Sequence, residues 1–323
     1  MNAANQSPLP LKRRRLLTTL VAAAMWAVVG MAALVVLTWG VLHGVIVPRI
    51  EEWRPQVERL ATQTLGVRVT IGAIQTESRG PIPAIELHDV RLFDAANREA
   101  LHLPRVLAAL SITSIWQGGF EQLVLEGPSL AVRRTSDGRI EVAGLSVSGV
   151  DSTEPGALSN WFFSQAEFAI RQGTLHWTDD TRPQVPTLTL QHVDLAVRNP
   201  GVQHQVRLDA TPPADWGARF SLQGHWRQPL WERSAGRWQQ WSGTLYGDFP
   251  QVDLKRLRNH LDTQTGLGVE LREGAGALRV WLDMQRGTLT QATADLALKT
   301  VGAQLGQAPA PLQLDNLSGR LDL

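Results

Sequence analysis

The segment Ile85-Glu86-Leu87-His88-Asp89-Val90-Arg91-Leu92 is the stretch that most directly indicates the fold of this chain. Apolar residues occupy alternate positions at its start, and the alternation then slips by one residue before Val90. A period of two is typical of a strand with one apolar face and one polar face. A β-bulge at the slip would keep all of the apolar side chains on one face. The segment therefore predicts a half-buried β-strand with an irregularity near its middle.

The same spacing occurs again along the chain. Leu188-x-Leu190-x-x-Val193-x-Leu195 repeats it, and Leu312-x-Leu314-x-x-Leu317 begins a third copy. A looser repeat relates Leu123-x-Leu125-x-Gly127-x-x-Leu130-x-Val132 to Phe168-x-Ile170-x-x-Gly173-x-Leu175-x-Trp177. Irregular repeats of this kind indicate an extended sheet that grows by adding similar units.

Period-two alternation covers most of residues 67–323, with Gly, Asp and Asn in the intervening turns. The predicted fold is therefore mainly β, an extended antiparallel sheet of about 18–24 strands. An ordinary large antiparallel sandwich is the alternative that the pattern leaves open. Residues 146–160 are rich in Ser and Gly, and they are predicted to form a loop or boundary. A weak helical period appears only around residues 252–261.

The N-terminus contains a long apolar run, from residue 16 to residue 47, without a formal charge. About 20 residues suffice to cross the hydrocarbon core of a membrane as a helix. A cleaved signal peptide has a shorter apolar core and a small-residue cleavage site, which this run lacks. We therefore predict an uncleaved transmembrane anchor at residues 16–47. The basic residues just before it predict that residues 1–15 are cytoplasmic; they are Lys12, Arg13, Arg14 and Arg15.

A second, amphipathic helix is predicted between the anchor and the strands, at residues 49–66. Apolar residues recur there at intervals of three and four, which is the helical signature. Pro55 fits the first turn of a helix, and Gly66 is a suitable terminating residue. The resulting organisation is a cytoplasmic tail, an anchor, a linking helix, and a β body at residues 67–323.

Composition excludes several classes of function. The part of the chain after the anchor carries 27 basic and 30 acidic residues, and this slightly negative balance argues against a nucleic-acid partner. There is no cysteine, which excludes disulfides, thiolate metal ligands and a thiol nucleophile.

Motifs for catalysis are also missing from the sequence. It contains no G-x-S-x-G, H-E-x-x-H, P-loop or dinucleotide-binding pattern, and the strand histidines occur singly. His88-Asp89 and Asp179-Asp180 are the possible acid–base pairs, although turn ends have the same composition. The sequence therefore predicts no catalytic residue, no metal site and no cofactor, and we expect that the protein is not an enzyme.

Several segments, taken in order, resemble the YhdP branch of the AsmA-like envelope proteins. The resemblance begins with the basic N-terminus and the anchor and extends over nearly the whole chain. Its motifs include Leu65-Gly66-Val67-x-Val69-x-Ile71-Gly72, residues 85–94, Gly127-Pro128-Ser129-Leu130-Ala131-Val132, Asp137-Gly138-Arg139-Ile140, Trp161-Phe162-Phe163-Ser164-Gln165 and Trp241-Ser242-Gly243-x-Leu245-Tyr246.

This resemblance implies a curved, taco-like β-groove with an apolar inner face, in a protein of the Gram-negative periplasm anchored in the inner membrane. It also implies a role in moving phospholipid between the inner and outer membranes, without catalytic residues. The implied partners are phospholipid acyl chains and the inner membrane, with outer-membrane or periplasmic proteins reached through a further C-terminal part. Members of the family are longer, so we expect this chain to be the N-terminal portion of such a protein.

The candidate lipid-facing residues are Leu125, Val132, Leu175 and Leu190, which belong to the alternating apolar positions. Neighbours of opposite parity, such as Arg133 and His176, are predicted to face away. Each buried CH2 contributes about 0.8 kcal/mol, so an apolar face of this kind could shield acyl chains from water. The alternative function, from another class, is an envelope assembly factor or scaffold whose groove or sheet edge binds polypeptide.

Overall fold

The computed structural model describes residues 22, 24–34, 36–37, 51–77, 84–93, 97–109, 120–146, 157–232, 234, 236–258, 269–305 and 312–322. The chain divides into two compact units, Met1–Trp53 and Arg54–Leu323. In the first unit, residues 22, 24–34 and 36–37 are helical and their side chains are exposed. The rest of the predicted anchor and the basic cluster Lys12–Arg15 lie outside the described residues. Within the described residues, no helix has both the length and the hydropathy needed to span a membrane.

The second unit is mainly β. Its helices are α1 (Arg54–Leu65), α2 (Ala157–Ser164), α3 (Leu254–Arg258) and the 3-10 helix η1 (Trp238–Gln240). Its described residues form one sheet of fifteen strands: β1 (Val69–Glu77), β2 (Ala84–Phe93), β3 (Glu99–Ala109), β4 (Gln122–Glu126), β5 (Ser129–Arg134), β6 (Ile140–Val142), β7 (Leu145–Ser146), β8 (Glu167–Asp179), β9 (Leu188–Arg198), β10 (Gln203–Thr211), β11 (Phe220–Arg227), β12 (Ser242–Asp253), β13 (Val269–Gln285), β14 (Thr288–Leu305) and β15 (Leu312–Asp322).

The sheet is open and curved, and its main path runs in the order β1-β2-β3-β4-β8-β9-β10-β11-β12-β13-β14-β15. The prediction of a purely antiparallel sheet is wrong, because β8 pairs in parallel with both β4 and β5. These two strands lie end to end along β8, separated by Gly127 and Pro128. Gly127 has a φ of +64°, which lies in the left-handed region. The predicted strand number was also too high for the described residues, since β13 and β14 are 17 and 18 residues long.

Four slips in the apolar alternation coincide with residues in the left-handed conformation. Asp89, Gln172, His192 and Thr300 have φ values of 54°, 52°, 48° and 51°. Each directly precedes the residue at which the alternation resumes. In β8 and β9 the pairing register shifts around these positions, so the predicted bulge is confirmed there. In β15, which contains the third copy of the repeat, the register is unshifted and none of its described residues has a positive φ, so the predicted bulge is wrong there. Around Asp89 the register of β2 is unshifted with both neighbouring strands, so the predicted bulge is wrong there. The left-handed Asp89 is accommodated because Gly72 lies opposite it, where a Cβ would come within 2.8 Å of the Asp89 Cβ.

Helix α1 covers the outer edge of β1. The Val69 amide donates to Thr62 Oγ1 at 3.1 Å, and the Ile71 amide donates to Glu58 Oε1 at 2.7 Å. Arg54 donates to the Gly72 carbonyl at 2.9 Å. These three helix residues are four positions apart, so they lie on one face of α1. The helix therefore occupies edge groups that would otherwise be open to pairing with another strand.

Two of the regions in which the predicted strand pattern is interrupted contain short helices. Part of the predicted loop at residues 146–160 belongs to α2, while residues 147–156 lie outside the described residues. The weak helical period near residue 252 corresponds to α3. This helix helps to enclose a small core in which Leu254, Leu278, Leu314 and Leu317 pack against Leu296, Leu298 and Val301.

Candidate functional site

One row of directly opposed residues crosses all twelve strands of the main path, and every member is apolar or glycine. Residues opposite each other on neighbouring strands point to the same face of a sheet. From β1 to β15 the row contains Ile74, Leu87, Val106, Leu125, Ile170, Leu195, Leu208, Leu222, Gly247, Val280, Ala294 and Leu321. At about 4.8 Å per strand, this apolar row is roughly 50 Å long.

A second apolar row lies two residues away on each strand and therefore on the same face. From β2 to β14 it contains Ile85, Ala108, Leu123, Phe168, Val197, Val206, Gly224, Leu245, Leu282 and Ala292. The two rows together form a continuous surface, which we call the apolar strip.

Solvent exposure increases along the apolar strip. In the first part of the sheet, members such as Ile74, Val106 and Ile170 are buried. From β10 onward, members such as Leu222 and Val280 are only half-buried, and Leu321 is exposed. A face packed against a second protein layer would be buried throughout. The later strands thus present apolar side chains that a ligand can still reach.

From β9 onward, the opposite face of the sheet is polar. Its clearest row contains Asp194, Asp209, Ser221, Asp248, Arg279, Asp295 and Arg320, again as consecutive cross-strand partners. We call this row the polar ladder. Arg279 Nε lies 3.3 Å from Asp248 Oδ1, and Arg320 Nε lies 2.6 Å from Asp295 Oδ1. Opposite charges on neighbouring strands stabilise the pairing of a sheet.

Two carboxylates of the polar ladder, those of Asp209 and Asp295, are held in their charged form. A hydrogen bond from Arg207 is the main reason that the pKa of Asp209 is lowered, and a second bond comes from the Ser221 hydroxyl. Arg320 lowers the pKa of Asp295 in the same way, and the partnership raises the pKa of Arg320. The face of the sheet that carries the polar ladder is therefore suited to contact with water.

The predicted groove residues are placed in two groups. Leu125 is a member of the apolar row. Leu175 and Leu190 face each other across β8 and β9, and Leu130 of β5 lies on the other side of Leu175. Val132 is the cross-strand partner of Trp177. Of the four predicted groove residues, Leu175 and Leu190 are direct cross-strand partners. Leu125 lies on β4 and Val132 lies on β5.

The residues of opposite parity have polar partners. Arg133 Nε lies 2.6 Å from Asp180 Oδ2, and His176 Nδ1 lies 3.0 Å from Thr189 Oγ1. Ion pairs and hydrogen bonds between polar side chains are typical of the polar face of a sheet.

The most accessible part of the apolar strip was not among the predicted site residues. Leu222, Leu245, Val280 and Leu282 lie on β11, β12 and β13. The alternation of Val280 and Leu282 was visible in the sequence. In β12 the signal is weak because Leu245 lies between two glycines, Gly243 and Gly247.

A buried aromatic cluster was also missed by the sequence analysis. The His204 ring stacks on Trp241 with centroids 3.7 Å apart, and Phe163 of α2 meets Trp241 edge-on at 4.9 Å. His204 also contacts the side chains of Asn199 and Gln228 at 2.7 and 3.2 Å. Burial lowers the pKa of His204, and the bond to Gln228 opposes that effect. No sequence signal connects these residues, because they come from distant segments.

The possible acid–base pairs make structural contacts. Burial of Asp179 disfavours its charge, but bonds from the hydroxyl and amide of Thr181 more than compensate and its pKa is lowered. Asp89 lies 2.7 Å from His102 Nε2, and this bond is the main reason that its pKa is lowered. Within the described part of the chain, no group of three or more His, Asp or Glu residues could hold a metal ion.

A cavity of about 880 Å3 lies along β2–β10 on the face opposite the apolar strip. Its lining includes Arg105, which binds Glu126 at 2.7 Å, and Arg198, which lies 3.3 Å from Glu167. These paired charges make the cavity a poor environment for acyl chains. The apolar strip on the other face is therefore the candidate site.

Comparison with known proteins assigns the chain to a family. The sequence model of the family described as YhdP protein matches residues 9–323. No curated protein and no solved structure matches the chain significantly. Because the family match covers almost all of the 323 residues, this chain belongs to the YhdP family.

Proposed function

We propose that the apolar strip binds the acyl chains of phospholipids, and that the protein carries phospholipid between the inner and outer membranes. Membership of the YhdP family supports a lipid-related role in the cell envelope. The strip would form the apolar floor of a taco-like groove, so that the protein acts as one segment of a lipid bridge.

The observation that carries this proposal is the unbroken apolar row across twelve strands. Each CH2 group kept away from water contributes about 0.8 kcal/mol. A single uncompensated polar group in the path would cost roughly 1–3 kcal/mol and act as a barrier. Because the row has no polar member, an acyl chain can move from strand to strand along a surface of nearly constant character.

The N-terminus supports the position that we propose for the protein in the envelope. The apolar run at residues 16–47 is long enough to anchor the chain, and basic residues precede it. Where this run is described, it is helical, and apolar side chains such as Met25, Trp26 and Leu37 are exposed. An exposed apolar helix is suited to lipid. We place the anchor in the inner membrane, residues 1–15 in the cytoplasm and the β body in the periplasm.

Site-specific photo-crosslinking in cells tests the lipid-binding site. A crosslinking amino acid at Leu222, Leu245 or Leu282 should capture phospholipid, identified by mass spectrometry of the purified adduct. The matched controls are Gln223 and Thr244, which are adjacent in sequence and point to the other face. Equal capture on both faces, or capture on neither, would contradict the proposal.

Strand addition is a second candidate function, supported by β15. Only β14 pairs with this strand among the described residues, and most of its residues are exposed. An unpaired edge can accept a strand from another polypeptide. Native mass spectrometry of the detergent-extracted protein separates the two functions: co-purified phospholipid supports the groove, and a bound polypeptide supports an assembly factor.

A further inference from the structure

A loop at one rim of the sheet presents large apolar side chains to solvent. It connects β11 to β12 at residues 228–241, of which 233 and 235 lie outside the described residues. We call it the rim loop. Leu230 and Trp231 are 73% and 79% exposed, and Trp238 is 45% exposed. Tryptophan exposed to this degree is costly for a surface that meets only water.

The rim loop is held in place by internal bonds. Gln228 donates to the Glu232 carbonyl at 2.7 Å, and Arg237 Nη1 lies 3.0 Å from Glu232 Oε2. Asn160 of α2 accepts bonds from the Ser234 hydroxyl and the Gly236 amide, both at 3.2 Å. The exposed residues therefore project from a supported structure.

The β13–β14 hairpin packs against the same loop. The Gly287 amide donates to the Trp241 carbonyl at 3.0 Å. A Cβ at Gly287 would lie 2.1 Å from the Gln239 carbonyl oxygen, so only glycine permits this approach. Leu289, two residues further along, is 54% exposed. The hairpin thus adds a further apolar side chain to the rim.

Two exposed arginines flank these apolar residues. Arg227 is the cross-strand partner of Ser242, and the Ser242 hydroxyl accepts a bond from the Arg286 amide at 3.1 Å. Neither guanidinium makes an ion pair within the described residues, unlike Arg279 and Arg320 of the polar ladder. Glu232, the acidic group of the loop, is already bonded to Arg237.

We propose that the rim loop, together with Arg227, Arg286 and Leu289, docks onto the surface of a bilayer that contains anionic phospholipid. Tryptophan is favoured at the boundary between headgroups and acyl chains, where its ring is buried and its N–H stays near water. Leu230 adds apolar area, and the two unpaired arginines match anionic headgroups. This membrane contact is separate from the N-terminal anchor and from the apolar strip.

The absence of cysteine from the chain allows a direct test. Trp231→Cys in the full chain, labelled with the fluorophore NBD, is reconstituted into vesicles of POPC or of POPE and POPG. Quenching by doxyl-labelled lipid is measured with the quencher in the same vesicles or in a second vesicle population. In vesicles that contain POPG, we expect a blue shift of the NBD emission. We also expect doxyl-labelled lipid to quench this emission in one of the two arrangements. Gln184→Cys, in an exposed turn at the opposite ends of the strands, is the matched control and should show neither.

Substitution of the two arginines tests whether attraction to anionic headgroups contributes to membrane docking. Arg227→Gln and Arg286→Gln should each weaken the POPG-dependent signal about fivefold, since a basic residue near an anionic surface contributes about 1 kcal/mol. Leu230→Cys serves as a second label position if Trp231→Cys folds poorly. The proposal is overturned by absence of quenching at both positions. It is also overturned by a blue shift that depends on protein concentration without vesicles, which would indicate contact with a second copy.

Discussion

Asp295 and Arg320 face each other across β14 and β15 as a bidentate ion pair, with N–O distances of 2.6 and 2.8 Å. Their sequence neighbours Ala294 and Leu321 face each other on the apolar side. One pair of adjacent strands therefore carries a charged contact on one face and an apolar contact on the other. This division explains how an open sheet can remain ordered while its apolar strip is only half-buried at the later strands.

The polar ladder should give the protein a measurable sensitivity to acid. Because the folded pKa of Asp209 is lowered, its contribution is present above the unfolded value of about 3.9 and is lost as pH falls through the folded value. We expect Asp209→Asn to reduce the free energy of unfolding at pH 7 and to converge with wild type as the pH falls through the folded pKa of Asp209, measured by urea unfolding in detergent. Asp315→Asn, at an exposed position without an ion pair among the described residues, should follow wild type throughout. A difference for Asp209→Asn that persists at the lowest pH would contradict this assignment.

Thr300 offers a test of the left-handed positions. Its φ of 51° is unfavourable for a β-branched residue, whereas asparagine tolerates this region. We expect Thr300→Asn to increase the free energy of unfolding by about 1 kcal/mol, measured by urea unfolding. Thr244→Asn, at an exposed strand position without a positive φ, should instead be neutral or destabilising by up to about 1 kcal/mol. Equal effects at the two positions would show that the backbone conformation is not the cause.

Much of the sheet was predictable from local sequence, because alternation specifies which residues share a face. The slips before Val90 and Val193 predicted bulges; the structure has left-handed residues at Asp89 and His192, with a register shift only near His192. The end of the linking helix at Gly66, which has a φ of 69°, also follows from residue type. These features depend on neighbours within a few positions, where propensity and backbone geometry dominate.

Features that depend on distant contacts were not predictable. The chain between β4 and β8 passes through β5, β6, β7 and α2. No local sequence pattern specifies that β8 then runs parallel to β4. Phe163, His204 and Trp241 similarly meet only because three segments converge. The accessible part of the apolar strip was missed since small residues such as Gly247 and Ala294 interrupt the apolar signal without interrupting the surface.

The proposed topology predicts the behaviour of a reporter fusion. Alkaline phosphatase joined after residue 150 should be active, because the basic residues 12–15 keep the N-terminus in the cytoplasm and place the following chain in the periplasm. A fluorescent cytoplasmic reporter at the same point should be dark. The reverse pattern would invert the topology and exclude the proposed lipid bridge.

We also predict that the candidate acid–base residues are dispensable for function. Single substitutions of His88, Asp89, Asp179 and Asp180 with alanine should retain activity in a complementation assay, provided that immunoblotting shows normal abundance. Asp179 is the most sensitive position because its buried carboxylate accepts two bonds from Thr181; Asp179→Asn is its conservative control. Complete loss of function in a normally abundant variant would point to an enzyme.

A glutamate introduced on the apolar face distinguishes an open groove from a closed core. Leu175 is half-buried, and its direct partners Leu130 and Leu190 are half-buried as well. In an open groove, the carboxylate of Leu175→Glu can still reach water. We therefore expect normal abundance, a small loss of stability and a loss of phospholipid crosslinks at Leu222.

The matched control for this variant is Leu298→Glu. Leu298 is buried beside Leu254 of α3 in the small core, so an unpaired charge there should cost several kcal/mol, on the order of 3–5, and lead to degradation. If Leu175→Glu is degraded to the same extent, then a second protein layer covers that face and the groove proposal fails. If Leu175→Glu is abundant and still yields full phospholipid crosslinking at Leu222, then lipid does not pass over this part of the sheet.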